Sequence, residues 1–262
     1  MADPTFLTLK YAVQDSIAEI VLDRPPLNLI DEISTLEYHS ALRAADADPD
    51  VRVIILRGAG KGLSAGVDLH FLDQFDAAAM EKFLRLLYVD TLTIVRNLGK
   101  PIIAAVHGYA REGACTLAFA CDMIVAADDA SFAYPGVSNL AGPPGMHVWY
   151  LQRLIGRMRA AELVFTGEPI DAQTACALGM ITKVVPADSL LDATRGLAGK
   201  LVKMSPLALH RTRKLFFEME DADFREVPEM ALLALAAAFD SADGREARRA
   251  YLEKRQPKWT GK

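Results

Sequence analysis

The stretch PIIAAVHGYAREGACTLAFACD, residues 101–122, decides the fold. Its residues 101–106 predict a buried strand, residues 107–109 a turn, and Gly113 the start of a helix with a small, apolar body over 114–120. A helix start carries unpaired N–H groups and the positive end of the helix dipole, and Gly113 has no side chain to keep an oxygen anion away. On this stretch alone, two interpretations stay open. One is an oxyanion hole, and the other is close strand–helix packing.

The segments before residue 142 alternate between strand and helix patterns. Such alternation predicts an α/β fold with right-handed βαβ units and a mostly parallel sheet. The predicted strands are 6–11 and 16–22 as a hairpin, then 51–56, 101–106, 123–126, 131–133 and 181–185. The predicted helices in this part run from a cap at Asp31 to about residue 45 and from 77 to 98.

Beyond residue 142 the patterns are helical, apart from the strand at 181–185. The predicted helices are 145–156, 157–166, 171–178, 187–203, 205–219, 227–240 and 243–254. We therefore place an α/β core at residues 1–195 and a helical region at residues 196–262.

Composition excludes several function classes. The chain has 262 residues, of which 52% are hydrophobic and 24% charged, which is typical of a globular protein. A net charge of −5 gives no overall attraction to nucleic acid or to an anionic membrane. The three cysteines form no CxxC pair and the five histidines show no ligand spacing, so we expect no metal site. The N-terminus lacks a signal pattern and the longest apolar run, near 230–239, is too short for a membrane span, which together predict a cytoplasmic protein.

The segment GLSAG, residues 62–66, matches the G-x-S-x-G nucleophile elbow of serine hydrolases. An elbow needs the strand to run directly into the serine turn, whereas residues 57–61 intervene here, so a loop serine is the alternative for Ser64. The combination of the 64–69 segment with Gly113 is more informative about function than the serine motif. The segment 64–69 follows one buried strand and Gly113 follows the next, so the N–H groups of Val67 and Gly113 can face one carbonyl oxygen.

At this point the sequence resembles the crotonase superfamily, the enoyl-CoA hydratase/isomerase family. The matching segments cover nearly the whole chain; they are LDRPPLNLI (22–30), VRVIILRGAGKGLSAGVDL (51–69), KPIIAAVHGYAREGACTLAFACDMIVAADDASFAYP (100–135), LIGRMRAAELVFTGEPIDAQTACALGMITKVVP (154–186) and YLEKRQPKWTGK (251–262). The resemblance implies an α/β spiral of ββα units, acyl-CoA thioester substrates without a separate cofactor, and homotrimers or dimers of trimers formed through the C-terminal helices.

The resemblance also implies roles for individual positions. Val67 and Gly113 would supply the two N–H groups that hold the thioester oxygen. The residues near coenzyme A would be Ala65, Asp68, Leu69 and His70, with His70 at the position where many relatives carry a CoA-contacting lysine.

The acid–base residues of the family are replaced in this chain. The two glutamates of the hydratases fall on Thr116 and Gly136, and a glycine that helps to place the hydratase water falls on Pro144. Neither Thr116 nor Gly136 can transfer a proton as a carboxylate does. The candidates for a replacement are Glu112, Tyr134 and His147, with a solvated or arginine-paired carboxylate as the alternative for Glu112 and helix packing as the alternative for His147.

Three functions therefore stay open. The first is an acyl-CoA lyase or isomerase that stabilises an enolate with a nonstandard acid–base set. The second is a catalytically silent acyl-CoA binder or assembly subunit. The third is a hydrolase, decarboxylase or retro-Claisen enzyme.

Overall fold

A six-stranded sheet forms the centre of the molecule in the computed structural model, which describes residues 6–142 and 145–262. Its strands lie in the order β1 (Leu9–Gln14), β2 (Ile17–Leu22), β3 (Val53–Gly58), β4 (Ile102–Val106), β6 (Met123–Ala127) and β9 (Lys183–Val185). All neighbours pair in parallel except β1 and β2. Because helices follow parallel strands, both faces of β4 are covered and all five of its residues are buried. The predicted α/β class is confirmed.

The hairpin turn lies later than the sequence pattern predicted. Gln14 pairs with Ile17, so only Asp15 and Ser16 form the turn, and both have positive φ angles, 51° and 61°. A two-residue turn with this geometry matches the twist of the strands that it joins. The predicted hairpin is therefore confirmed, whereas the predicted bounds of its first strand, 6–11, were wrong.

A second, three-stranded sheet contains β5 (Tyr109–Arg111), β7 (Ser131–Ala133) and β8 (Ile170–Asp171), in that order. The sequence predicted a turn at 107–109 and no strand at β5 or β8. Strands of two or three residues depend on pairing with distant segments, and β5 exists because it pairs in parallel with β7. This pairing brings the chain to Glu112 and to the helix start at Gly113.

The helix pattern follows the prediction closely. At α1, Asp31 forms a capping box with Ser34. The helices are α1 (Glu32–Ala47), α2 (Leu69–Leu72), α3 (Ala77–Leu84), α4 (Thr91–Asn97), α5 (Gly113–Phe119), α6 (Gly136–Leu140), α7 (His147–Ile155), α8 (Arg157–Thr166), α9 (Ala172–Ala177), α10 (Leu190–Val202), α11 (Pro206–Glu220), α12 (Val227–Phe239) and α13 (Ala242–Leu252).

The predicted helix 77–98 differs from the structure in one respect. Between α3 and α4 the backbone forms a π-helical segment, Arg85–Asp90. Such segments are rare and frequently lie at functional sites.

Helix α10 packs on the outer face of the central sheet, where Leu190 and Ala198 join a cluster with Ile55, Ile103 and Val125. The predicted domain boundary at residue 195 falls inside this helix. The helix as a unit belongs with the sheet, because its buried face completes that side of the core.

The C-terminal helices leave an apolar stripe exposed. Helix α12 has no buried residue, and Leu232, Leu235 and Phe239 are 64%, 69% and 61% exposed. Residues at these spacings share one helix face. Within the described residues, no helix is both long and apolar enough to cross a lipid bilayer.

We expect this stripe to be covered by a second copy of the chain, since burying each large apolar side chain contributes about 1.5–3 kcal/mol. Replacing both Leu232 and Leu235 by lysine should lower the mass that light scattering measures towards the 28.6 kDa of one chain. Asp50→Lys adds the same charge at an exposed turn and is the control. An assembly unaffected by the double lysine change would show that the stripe is not the contact.

Candidate active site

Two loops meet at the carboxyl ends of β3 and β4. The N–H of Arg111 donates to the carbonyl of Ser64 over 3.1 Å, and the N–H of Asp68 donates to the carbonyl of Ile30 over 2.8 Å. These bonds bring Val67 against the start of α5. The Cγ2 of Val67 lies 3.6 Å from the point that a Cβ on Gly113 would occupy.

The N–H groups of Val67 and Gly113 are both available to a ligand. Val67 lies in an isolated parallel bridge with Ile30, in which the flanking residues make the hydrogen bonds, and Gly113 is the first residue of α5. Among the described residues, no acceptor receives a hydrogen bond from either group. Free N–H donors at a helix start are suited to hold an oxygen that gains negative charge.

Ser64 does not present a nucleophile. It is fully buried, and its Oγ accepts a hydrogen bond from the N–H of Gly66 over 3.1 Å. Ser64 also lies in a bridge with Ala110 and not at the start of a helix. The serine therefore stabilises the loop that carries Val67, and the nucleophile-elbow interpretation was wrong.

Glu112 turns into the protein. Its φ of 47° and ψ of −116° are unusual for a residue with a side chain, and its N–H is held by the carbonyl of Ala133 over 3.0 Å. The two carboxylate oxygens lie 3.1 and 3.4 Å from the point that a Cβ on Gly136 would occupy. The carboxylate of Glu112 therefore fills the space beside the main chain of residue 136.

The arginine-paired alternative for this carboxylate was wrong. Arg111 donates instead to the carbonyl of Ala110 and to the carbonyl and hydroxyl of Ser131. The Glu112 side chain is 17% exposed, and its Oε1 has no hydrogen-bond partner among the described residues. A buried carboxylate oxygen without a donor is costly, and such groups occur frequently at functional sites.

His147 joins Glu112 to Thr116. It is the first residue of α7, its side chain is 1% exposed, and its Nε2 lies 3.2 Å from Oε2 of Glu112. This Nε2 is not aligned for a hydrogen bond, so the contact with the carboxylate is electrostatic. The other ring nitrogen, Nδ1, makes a short hydrogen bond with Oγ1 of Thr116. The predicted candidates Glu112 and His147 thus lie together with Thr116.

Two tyrosines enclose the imidazole. The ring centroid of Tyr134 lies 4.7 Å and that of Tyr88 5.7 Å from the centroid of His147. Burial is the largest effect on each of these groups. It raises the pKa of both phenols and lowers the pKa of His147, although Glu112 opposes the change at His147. At neutral pH the site therefore contains neutral phenols and a neutral imidazole.

The phenol of Tyr134 interacts with the thiol of Cys115, and its side chain is almost fully buried. Its predicted catalytic role stays a prediction, since the structure shows only that it packs against His147. Tyr88 was missed by the sequence analysis. It lies in the π-helical segment, and a helical repeat of apolar residues carries no signal for such a segment.

Of the residues predicted near coenzyme A, Ala65 and Asp68 lie in the loop that carries Val67, and Leu69 and His70 begin α2. The N–H of Ala65 donates to Leu27, whereas Leu69 is exposed. Asp68 caps α2, and its carboxylate accepts the N–H of His70 over 3.1 Å. Their contact with coenzyme A stays a prediction.

Arg24 was not singled out by the sequence analysis. It holds this loop in place, because its guanidinium pairs with Asp68 at 3.1 Å and with Asp31 at 3.0 Å. Of the positions compared with family residues, Thr116 and Gly136 lie at the site, and Pro144 lies outside the described residues. No group of three or more potential metal ligands occurs within the described part of the chain.

Comparison with known proteins identifies the family. Residues 12–262 match the model of the enoyl-CoA hydratase/isomerase family. A carnitinyl-CoA dehydratase of Citrobacter koseri is 35% identical over 97% of this chain and 99% of its own length. A crotonyl-CoA hydratase of Syntrophomonas wolfei is 30% identical over 95% of this chain and 96% of its own.

Solved structures of this family have the same fold as this chain. An enoyl-CoA hydratase from Bacillus anthracis superposes with a TM-score of 0.92 at 28% identity, covering 98% of this chain and all of that one. The chain belongs to the enoyl-CoA hydratase/isomerase family, and its fold is that of the crotonase superfamily.

The backbone of Glu112 leads to a stability prediction. A residue with a side chain held in such a conformation costs about 1–3 kcal/mol, and glycine adopts it freely. Glu112→Gly should therefore raise the free energy of unfolding by about 1 kcal/mol in urea titrations. Glu112→Gln keeps the side chain and is the control. If the glycine variant were the less stable of the two, the backbone strain would be refuted.

The environment of His147 leads to a prediction about pH. Its pKa is lowered in the folded protein from about 6.5 in the unfolded chain, so the unfolded chain binds the proton more readily. Stability is complete above about pH 6.5 and is lost as the pH falls towards the lower, folded value.

The wild type should thus lose more free energy of unfolding than His147→Gln when the pH falls from about 7.5 to about 5.5. The buried His39, whose pKa is also lowered, is common to both proteins and cancels in the difference. Parallel curves for the two proteins would contradict the prediction.

Proposed function

We propose that this protein is an acyl-CoA enzyme that removes a proton from the α-carbon of a thioester, with Glu112 as the general base. One observation supports this most strongly. The carboxylate of Glu112 lies beside the main chain of Gly136, and Glu112 directly precedes Gly113, whose N–H, like that of Val67, has no acceptor among the described residues.

The proposed chemistry follows from these groups. The thioester oxygen accepts hydrogen bonds from the N–H groups of Val67 and Gly113. Glu112 takes the α-proton, and the electron pair left on carbon moves onto the thioester oxygen as an enolate. Fixed donors stabilise this charge, and one such donor is worth about 10²–10³ in rate in comparable sites.

The enolate then has two productive outcomes. Glu112 can return the proton to the γ-carbon of a β,γ-unsaturated acyl group, which moves the double bond. Alternatively, the enolate electrons form the α,β double bond and expel a β-hydroxyl group, which takes the proton from Glu112 and leaves as water. Dehydration and hydration are the changes named in the carnitinyl-CoA dehydratase and crotonyl-CoA hydratase relatives. Both outcomes begin with the same α-proton transfer, so this step is the one to measure.

Thioester hydrolysis is the second candidate function. It is favoured by the hydrogen bond between the Thr116 hydroxyl and His147, because a hydroxyl, an imidazole and a carboxylate in a row form the usual arrangement for nucleophilic catalysis. The burial of Thr116, which is 2% exposed, stands against it.

The test is exchange of the α-protons of butyryl-CoA and 3-hydroxybutyryl-CoA with deuterated water, followed by proton NMR. Glu112→Gln should slow the exchange about 10²–10⁴-fold, because the amide cannot accept the proton. Gly113→Pro should slow it about 10²–10³-fold, because proline lacks the N–H.

Gly113→Ala is the matched control. It keeps the N–H, and an added Cβ would meet its neighbours at 3.5 Å or more, which is ordinary contact. Its loss should therefore be much smaller than that of the proline variant. A wild type that binds these thioesters and exchanges no proton would favour the silent acyl-CoA binder, and release of free coenzyme A would favour the hydrolase.

A further inference from the structure

The Glu112 carboxylate and the Thr116 hydroxyl, which contact the two ring nitrogens of His147, together limit the protonation of the imidazole. The neutral ring carries one N–H, on either Nδ1 or Nε2. If Nδ1 carried it, the lone pair of Nε2 would face Oε2 of Glu112 at 3.2 Å, which is repulsive. With the hydrogen on Nε2, the imidazole presents a positive N–H edge to the carboxylate, and Nδ1 is free to accept a hydrogen bond from the Thr116 hydroxyl.

We propose that Thr116 is a positioning residue whose hydroxyl, by donating to Nδ1, supports the Nε2–H form of His147, so that His147 holds the carboxylate of Glu112 turned into the site. This inference rests on the proposed function of Glu112. The inference gives Thr116 a role in orienting Glu112, at a position where the resemblance places a glutamate of the hydratases.

The arrangement explains why the two oxygens of Glu112 differ. Oε2 lies beside the imidazole, and Oε1 has no partner among the described residues. One oxygen is therefore held, while the other is left for the substrate proton. Because His147 already carries a hydrogen on Nε2, it cannot take the proton from Glu112 there, and the proton stays on the carboxylate until it returns to substrate.

The other titratable groups near the pair are neutral. Tyr88 faces it from the π-helical segment, Tyr134 from the end of β7, and Cys115 from α5. Burial raises the pKa of all three, to about 12 for Cys115. A change in the pH dependence of the site near neutrality therefore does not come from these three groups.

Thr116 acts through His147 and does not touch substrate. Its side chain and that of His147 are 2% and 1% exposed, whereas the Glu112 side chain is 17% exposed. Glu112 is thus the most exposed of the three side chains, although its Oε1 atom is buried in the absence of substrate.

Two variants test the proposal, of which the valine variant keeps the size of threonine and the serine variant is smaller by one methyl group. Thr116→Val replaces the hydroxyl by a methyl group, and Thr116→Ser keeps the hydroxyl. In α-proton exchange, the kcat of the valine variant should fall at least about tenfold, with little change in KM. The acidic limb of its pH profile should move to higher pH by about half to one unit. A pKa change of one unit corresponds to a tenfold change in the protonation equilibrium. The serine variant should stay within about threefold of the wild type in kcat and should keep the wild-type pH profile.

The imidazole can also be observed without substrate. With ¹⁵N-labelled histidine, two-bond ¹H–¹⁵N correlation spectra distinguish the two neutral forms, and His147→Gln assigns the signal among the five histidines. The wild type and Thr116→Ser should show His147 with the hydrogen on Nε2, and Thr116→Val should show a mixture or the opposite form.

The results of these experiments distinguish failure of the Thr116 inference from failure of the proposed function of Glu112. A valine variant with the pH profile and kcat of the wild type, or a wild-type His147 protonated on Nδ1, would overturn the role of Thr116. An acyl group attached to Thr116, detected by mass spectrometry of the protein mixed with thioester, would overturn it in favour of a nucleophile. A wild type without proton exchange would contradict the proposed function, and the tautomer measurement would then decide the Thr116 inference by itself.

Discussion

The left-handed backbone of Glu112 is the constraint on which the site depends. Its N–H is tied to Ala133 of β7, so the chain must turn sharply before α5 begins at Gly113. This turn has two consequences for the site. It leaves the N–H of Gly113 free beside Val67, and it sends the carboxylate of Glu112 inward over Gly136. A strained conformation of this kind persists because the surrounding pairing holds it.

The carboxylate and the glycine at 136 depend on each other. A Cβ at residue 136 would lie 3.1 and 3.4 Å from the oxygens of Glu112, so a side chain there would require the carboxylate to shift by a few tenths of an ångström. The chain thus carries its carboxylate on the residue before the helix, and not on the segment after β7. His147 lies between Thr116 and this carboxylate, with Nδ1 hydrogen-bonded to the Thr116 hydroxyl and Nε2 at 3.2 Å from Oε2 of Glu112.

The sequence predicted the parts of the site that depend on local pattern. Parallel strands and a glycine at a helix start are readable from residues 101–122, and they placed Gly113 near Val67. The direction of Glu112 was not readable, because it depends on the short strand β5 pairing with β7 and on the missing side chain of Gly136, which lies 24 residues later. The position of Tyr88 at the site could not be predicted from the sequence either, because the π-helical segment does not follow the repeat of an α-helix.

The most direct test of this account is a crystal structure of the protein with a saturated acyl-CoA thioester. The account predicts the thioester oxygen at about 2.7–3.1 Å from the nitrogens of both Val67 and Gly113. It also predicts Oε1 of Glu112 at about 3–3.5 Å from the α-carbon of the acyl group. A bound thioester with its oxygen elsewhere, or with the Glu112 carboxylate turned out to solvent, would contradict the claim that Glu112 is the base.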